Sequence, residues 1–419
     1  MALHVKILIG LVAGLAAGVT ANLTGANWLR AALLALEPVG SAFIRLITMV
    51  VIPLIVSSII VGVSSLGDLK RLGRIGGKAV TYYLFTTVAA IVLGLLLANL
   101  VTPGSRIDAA TRDALAAQFS SEAAAQSQRA HQAPTLKETL LGIIPRNPVR
   151  AAADFELLPL IFFSVVFGAA IGQLRGDPQR AVIHFFSGLS DAAAVVIGWI
   201  MRLAPYAVFV LIAAVVARFG FDLLGSLLVY AVTVLIGLAI HQFVTLALLV
   251  RLLARLDPRD FFRRTAAVQL FAFSTSSSNA TLPLTLETAE HRLGIPKSIA
   301  SFVLPLGATV NMNGTALYQA IAVMFIAQIY SVPMDLAAQL TIVVTATLAA
   351  VGAAGVPAAG IITLIIVLES VGLGGRIESG IALILGVDRI LDMSRTIVNV
   401  VGDLTCAAFV ARSEGELSA

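Results

Sequence analysis

Charged residues are scarce in this chain of 419 residues, and cysteine is almost absent. Charged side chains make up 12% of the sequence, roughly half the share that is usual in a soluble domain. So low a share excludes a soluble enzyme and a disordered chain, because both need charged surface in contact with water. The single cysteine, Cys406, excludes an internal disulfide and therefore a disulfide-rich scaffold. The five histidines show no spacing that suits a metal site.

Apolar residues are abundant: they form 58% of the sequence, and the mean hydropathy is +0.96. A helix that spans a membrane needs about 20 apolar residues. Candidate spans are residues 5–21, 35–66, 80–101, 157–171, 192–216 and 223–253. The second is long enough to cross with a strong tilt. The first has no convincing cleavage site behind it, so we expect a retained helix and not a signal peptide.

The basic residues gather in loops on one predicted side of the membrane. The loops after the second, fourth and sixth spans carry Lys70, Arg71, Arg74, Lys78, Arg175, Arg180, Arg251, Arg255, Arg259, Arg263 and Arg264. All lie on one side if the N-terminus is cytoplasmic. We therefore interpret the net charge of +5 as membrane topology and not as nucleic-acid binding. The expectation is a multi-pass protein of the plasma (inner) membrane, surrounded by lipid, with both termini cytoplasmic.

Residues 104–135 interrupt this pattern. The stretch is polar, rich in alanine and glutamine, and carries charges of both signs. We expect an external insertion before or within the fourth helical segment, since the stretch is short for a large soluble domain.

Beyond residue 256 the apolar runs become short and broken. Polar or small residues interrupt them at 274–279, 311–315 and 352–357. Half-length apolar helices that meet at such turns are typical of re-entrant hairpins or unwound helices, which membranes tolerate only where the backbone is buried in protein or lines a wet cavity. Broken segments of this kind indicate the binding site of a secondary transporter. A flexible polar loop at 274–279 and a glycine kink at 311–315 are the alternatives.

The final apolar segment, 377–412, carries a polar face. On a helix, Asp388, Asp392, Arg395, Asn399 and Asp403 share a face about 80° wide and ~22 Å long. Charges at the bilayer centre cost at least ~2.5–3.5 kcal/mol each on insertion scales, so these need partners. A network that only ties helices together is one interpretation. The other is a ligand site: an Asp and an Arg one turn apart suit a zwitterionic or acidic ligand, while Asp403 and Asn399 offer oxygen ligands to an alkali or alkaline-earth cation.

Together these residues resemble one family, the glutamate transporter homologues, or dicarboxylate/amino acid:cation (sodium or proton) symporters. The resemblance covers essentially the whole chain and is most specific over residues 265–412. The motifs that carry it are Ser276-Ser277-Ser278 before Thr281-Leu282-Pro283, Asn311-Met312-Asn313-Gly314-Thr315, Gly355-Val356-Pro357, and Asp392-Met393-Ser394-Arg395-Thr396-Ile397-Val398-Asn399-Val400.

The resemblance implies an all-α integral membrane protein with inverted repeats that assembles as a homotrimer. Each protomer would have eight transmembrane helices and two re-entrant helical hairpins. Scaffold helices 1–2 (residues 1–74) and 4–5 (136–220) would hold the trimer together. Helix 3 (75–103) and helices 6–8 (221–419) would form a transport domain that crosses the membrane like an elevator, with hairpin 1 at 258–291 and hairpin 2, the gate, at 335–371.

The resemblance also implies a set of binding residues. Asp392 would hold the substrate ammonium and Arg395 its side-chain carboxylate. The rest of the substrate site would be Ser276, Ser277, Ser278, Thr315, Val356, Gly360, Thr396 and Asn399. A first sodium ion would bind at Gly307, Asn311, Asn399 and Asp403. A second would bind mainly backbone oxygens at Thr309, Met312, Ala350, Val351 and Ala353, and a third would bind at Tyr83, Thr86, Thr87, Asn311 and Asn313.

Three departures from the family pattern bear on these roles. Asn313 stands where the family usually has Asp, which puts the third sodium in question and admits a weaker site, another stoichiometry or a proton. Ser276 and Met393 stand where archaeal and animal members, respectively, carry an arginine; Arg389 lies beside the polar face, and we do not expect it to substitute. Gln319 replaces the proton-carrying Glu of animal members, so we expect no potassium antiport through that relay.

We therefore predict a secondary active symporter, not an enzyme, that takes up aspartate or glutamate coupled to sodium. The alternative is a proton-coupled glutamate/aspartate or C4-dicarboxylate symporter. An intramembrane aspartyl protease would need glycine at position 400, where this chain has Val400. A pure ion channel would not need the Asp392 and Arg395 pair, which indicates a bound ligand.

Overall fold

The fold is built from helices, and no strand occurs in the residues that the structure describes. The computed structural model describes residues 3–66, 69–106, 141–219, 227–351 and 359–417. The helices of the first half are α1 (Leu3–Leu23), α2 (Asn27–Ala35), α3 (Glu37–Leu66), α4 (Leu69–Val101), α5 (Pro148–Ala153), α6 (Leu157–Gln173), α7 (Asp177–Met201) and α8 (Ala204–Phe219). The helices of the second half are α9 (Leu228–Ala254), α10 (Pro258–Arg264), α11 (Ala266–Thr275), α12 (Ser278–His291), α13 (Lys297–Val310), α14 (Asn313–Ile329), α15 (Leu336–Val351), α16 (Ala359–Ser370) and α17 (Ile377–Ser413).

Within the described ranges, five segments are long and apolar enough to cross a membrane, judged by length and composition. They are Lys70–Ser105, Asp177–Ile200, Leu228–Ala254, Lys297–Ile329 and Val387–Ser413. The five segments differ in how much of each is buried inside the protein. The most apolar stretches of Lys297–Ile329 and Val387–Ser413 are 89% and 83% buried, against 18% for Asp177–Ile200. The two least apolar segments are therefore the most buried, and most of their polar residues lie inside protein.

Helix packing explains this burial. α14 packs against α4 and α17, and α13 packs against α17 and α3. α11 and α12 contact each other and α17, and α15 contacts α16. The N-terminal helices form their own contacts, α1 with α8 and α3 with α6 and α7. α17 is thus surrounded by the broken segments of the second half.

Two of the three predicted breaks are described and confirmed. α11 ends at Thr275 and α12 begins at Ser278; between them Ser276 has the left-handed φ of 52°. α13 ends at Val310 and α14 begins at Asn313. The third break falls at 352–358, outside the described residues, as do 107–140, most of the predicted insertion at 104–135.

One predicted span is wrong. Residues 192–216 do not form a single helix, because α7 ends at Met201 and α8 begins at Ala204. Pro205 is the reason: proline has no N–H to donate to the carbonyl four residues earlier, and its ring clashes with that carbonyl. The other predicted spans correspond to helices, several of them longer than expected, and the final segment extends to Ser413.

Candidate functional site

The polar face of α17 is the centre of the candidate site. Its five members are almost completely buried, with exposed fractions between 1% and 5%: Asp388, Asp392, Arg395, Asn399 and Asp403. Buried charges are stable only when paired and hydrogen-bonded. The partners of each group therefore show what the site is built to do.

Arg395 is held by two carboxylates of its own helix. Its Nε donates to Asp392 Oδ1 at 3.0 Å, and Nη1 donates to Asp388 Oδ1 at 3.1 Å. Tyr318 of α14 donates its hydroxyl to the same Asp388 oxygen at 2.7 Å, and its ring lies 4.2 Å from the guanidinium carbon. The guanidinium is thereby fixed in orientation. Its Nη2 lies 2.8 Å from Asp392 Oδ1 as an ion pair, without the geometry of a hydrogen bond to any described residue. A fixed guanidinium with a donor to spare can bind a carboxylate.

Sequence reasoning missed two members of this cluster. Helical periodicity places Asp388 on the polar face but not among the predicted binding residues, and the predicted site does not include Tyr318. The signal for Asp388 was its position seven residues before Arg395, two turns along the same face. Nothing in the sequence marked Tyr318, because its contact crosses between two helices.

Arg389 also reaches Asp392, although the sequence placed it beside the polar face. Its Nη1 lies 3.9 Å from Asp392 Oδ2. Asp392 is therefore paired with arginines on both sides. The side chain of Arg389 is long enough to bridge the angular offset, and the expectation that Arg389 does not substitute for the arginine of other members stays a prediction.

The break between α13 and α14 brings Asn311 and the Gly314 amide to Asp403 and Asn399. Asn311 donates its Nδ2 to Asp403 Oδ1 at 2.8 Å, and the Gly314 amide donates to Asn399 Oδ1, also at 2.8 Å. The Asn311 Oδ1 is buried with no hydrogen-bond partner among the residues described. A Cβ at Gly307 would collide with the Asp403 carboxylate, so the α13 backbone closely approaches that group. These hard oxygens suit an alkali cation.

The proposed ligands from α4 meet Asn313. Thr87 Oγ1 donates to Asn313 Oδ1 at 2.8 Å, and Thr86 Oγ1 lies 3.4 Å from the same oxygen. Tyr83 donates instead to the Val303 carbonyl at 2.9 Å. The structure therefore brings Thr86, Thr87 and Asn313 together. The buried Nδ2 of Asn313 has no hydrogen-bond partner in the ranges described.

The serine turn is buried and lies between helices that pack against α17. Ser277 caps α12, its Oγ accepting from the Ala280 amide at 3.1 Å, as a serine N-cap does. The Oγ of Ser276 is buried without a hydrogen-bond partner in the described structure. Ser278 is the first residue of α12. The turn presents hydroxyls and helix N-terminal amides, which favour anions.

α16 approaches the guanidinium from another side. A Cβ at Gly360 would lie 2.8 Å from Arg395 Nη2 and 3.2 Å from the Thr315 methyl. Gln319 donates its Nε2 to Thr363 Oγ1 at 2.6 Å, which ties α14 to α16. Gly360 and Thr315 are therefore in the site.

Other predicted residues are engaged within the protein or lie outside the description. Thr396 donates to the Asp392 carbonyl and Thr309 to the Leu306 carbonyl, each within its own helix. Asn399 donates to Met312 Sδ and Thr315 Oγ1, both at 3.3 Å. Ala350 is buried, and α15, which ends at Val351, packs against α13. Val356 and Ala353 lie outside the described residues.

The chain is similar to known transport proteins over most of its length. The family model for the sodium:dicarboxylate symporter family matches residues 3–413. The proton/sodium-glutamate symport protein of Geobacillus stearothermophilus is 36% identical, over 98% of this chain and 94% of that protein. The proton/glutamate-aspartate symporter of Escherichia coli is 38% identical over 93% and 87% of the two chains. The C4-dicarboxylate transport protein of Bacillus subtilis is 32% identical over 91% and 88%.

Proposed function

Because the chain belongs to the sodium:dicarboxylate symporter family, we propose that it is a multi-pass membrane symporter for acidic amino acids, aspartate or glutamate, driven by sodium. The buried Arg395, fixed by Asp388 and Asp392 and backed by Tyr318, carries the proposal. A network that only tied helices together would pair the arginine with a carboxylate of another helix. Here the arginine is paired with carboxylates of its own helix, and its Nη2, which is ion-paired but not hydrogen-bonded to Asp392, can donate to a ligand carboxylate.

The charges of the site fit an acidic amino acid. Arg395 binds the side-chain carboxylate of the substrate, and Asp392 binds its ammonium. The serine turn, Ser276 to Ser278, offers hydroxyls and helix N-terminal amides to the α-carboxylate. Thr315, Thr396, Asn399, and the backbone near Val356 and Gly360 complete the substrate site.

The coupling cation binds close to the substrate. Asp403, the Asn311 Oδ1 and the Asn399 oxygens form the first sodium site, together with the Gly307 carbonyl. Burial of an oxygen without a donor, as for Asn311 Oδ1, favours a cation there. The second site uses Thr309, Met312, Ala350, Val351 and Ala353. The third, with Tyr83, Thr86, Thr87 and Asn313, lacks a carboxylate, so sodium binds there weakly, or a proton-coupled cycle replaces it.

The architecture that we propose is a homotrimer of eight-span protomers with two re-entrant hairpins. Residues 1–74 and 136–220 form the scaffold. Residues 75–103 and 221–419 form the moving transport domain, with hairpins at 258–291 and 335–371 and an external insertion at 104–135. The packing of α4, α11–α14 and α16 around α17 supports one moving unit that carries the whole site. The protein lies in the plasma (inner) membrane with both termini cytoplasmic.

Uptake of labelled L-aspartate into proteoliposomes tests this function. It is measured under an inward sodium gradient, an inward proton gradient and no gradient. We expect uptake that depends on the sodium gradient and is lost in Arg395→Cys, since the variant lacks the guanidinium. Uptake that depends only on the proton gradient would mean that the protein is the proton-coupled symporter given as the alternative. Transport of succinate but not aspartate would contradict the role given to Asp392.

A further inference from the structure

Arg389 has no role in the function proposed above, yet it contacts the site. It lies one turn before Asp392 on α17, and 26% of its side chain is exposed. Its Nη1 is 3.9 Å from Asp392 Oδ2, whereas Arg395 contacts the other oxygen, Oδ1. Asp392 therefore lies between one arginine within the site and another at its margin.

The two arginines contact Asp392 in different ways. Arg395 hydrogen-bonds it at 3.0 Å, is also held by Asp388, and is 1% exposed. The contact of Arg389, at 3.9 Å, is too long for a hydrogen bond. Arg389 thus acts on Asp392 through charge, and its flexible, partly exposed side chain can withdraw without breaking a hydrogen bond to that carboxylate.

The formal charges show what Arg389 changes. Asp388, Arg389, Asp392 and Arg395 together are neutral, and without Arg389 the other three carry one negative charge. The ammonium of an amino acid can replace Arg389 beside Asp392. A C4-dicarboxylate has no ammonium, so without Arg389 its second carboxylate would face a cluster with a net charge of minus one, which is unfavourable in a buried site.

We propose that Arg389 determines which substrates the site accepts, an inference that rests on the proposed function. Arg389 neutralises Asp392 while a C4-dicarboxylate is bound, and it withdraws when a substrate ammonium takes its place. The same site therefore accepts both acidic amino acids and C4-dicarboxylates. Arg389 is a specificity-determining residue, because its effect is on one substrate class relative to the other.

Competition between substrates tests this proposal. Inhibition of labelled L-aspartate uptake by unlabelled succinate and by unlabelled L-aspartate is compared for the unaltered protein, Arg389→Gln and Arg389→Lys. In Arg389→Gln we expect the half-inhibitory concentration of succinate to rise roughly tenfold and that of aspartate to fall. Arg389→Lys should restore the original ratio, because lysine retains the charge. Arg376→Gln is the matched control: it removes an arginine next to the start of α17 that stacks on Tyr330, outside the cluster.

The remaining outcomes overturn the proposal. A ratio unchanged in Arg389→Gln, or shifted in favour of succinate, would mean that Arg389 does not discriminate. Aspartate uptake by the unaltered protein that succinate never inhibits would refute the shared site and leave the proposed function standing. If a folded, unaltered protein transports neither compound under any gradient, and neither raises its unfolding temperature, both this inference and the proposed function fail.

Discussion

At the scale of single residues, Asn313 lies where the proposed third cation would bind. Its Oδ1 accepts hydrogen bonds from α4, while its Nδ2 is buried within 3.0 Å of where a Cβ at Gly402 would lie. Its amide group is neutral and presents a donor, and a donor repels a cation. An aspartate at this position would present two acceptors and a negative charge.

Asn313→Asp should therefore strengthen sodium binding. We expect the half-saturating sodium concentration for aspartate uptake to fall severalfold and the Hill coefficient for sodium to rise, because a carboxylate joins the hydroxyls of Thr86 and Thr87. The same variant should gain more thermal stability from added sodium than the unaltered protein does. Choline chloride at equal ionic strength is the control, and identical sodium dependence would count against a cation site at Asn313.

At the scale of secondary-structure elements, the approach of α16 to Arg395 depends on Gly360. A methyl group there would lie 2.8 Å from Nη2 and 2.9 Å from the guanidinium carbon, distances at which one of the two must move. Either movement would disturb the proposed substrate site. The hydrogen bond from Gln319 to Thr363 holds α16 against α14 close by, so α16 is not free to move away.

Gly360→Ala should weaken substrate binding. Overpacking of this kind costs about 1–3 kcal/mol, so the half-saturating aspartate concentration should rise roughly fivefold to a hundredfold. The matched control is Gly198→Ala on α7, where an added Cβ meets no atom within 4 Å and aspartate dependence should not change. Unchanged aspartate binding by Gly360→Ala would mean that α16 adjusts freely.

How far the sequence predicts this fold depends on the element. The breaks at Ser276 and Asn311 were predictable, because polar residues interrupt apolar runs, and the polar face of α17 followed from helical periodicity alone. The turn before Pro205 was missed since hydropathy stays high through it. The contacts of Tyr318 and Arg389 could not be predicted, because they depend on helix packing and on the reach of a long side chain.

At the scale of the whole molecule, a cluster of charged residues, the charged clamp, joins the first turns of α4 to the end of α17. Arg74 donates to both carboxylate oxygens of Glu414, at 3.0 and 2.6 Å, and Lys78 contacts the same group at 2.6 Å. Arg71 pairs with Glu416, and Arg412 donates to the carbonyls of Ala254 and Leu417. The clamp holds α4, the end of α9 and the end of α17 together outside the apolar region.

Glu414→Gln should reduce thermal stability in a pH-dependent way. The hydrogen bonds from Arg74, with those from Lys78, lower the pKa of Glu414 from 4.5 to about 2. A lowered pKa in the folded state stabilises the protein above pH 4.5, and this stabilisation is lost as the pH falls towards 2. We expect a loss of about 1–3 kcal/mol at pH 7 and a smaller loss at pH 3.

Thermal unfolding of the purified protein in detergent measures this difference. Glu369→Gln serves as a control, because Glu369 is an exposed acid at the end of α16. Equal destabilisation by Glu414→Gln at both pH values would show that the charge of Glu414 does not hold the clamp.

The isolation of Asp403 has a consequence for the electrical behaviour of the carrier. Among the described residues it accepts a hydrogen bond from Asn311 and forms no ion pair, whereas the cluster around Arg395 is neutral. In the proposed cycle, an ionised Asp403 that has released its cation leaves the site with one negative charge. A membrane potential that is negative inside drives such a charge outwards, with ~2.3 kcal/mol per 100 mV if it crosses the full field. If the proposed transport domain carries the site across the membrane, we expect the voltage to act on the return of the unloaded carrier and to restore it to the outer side.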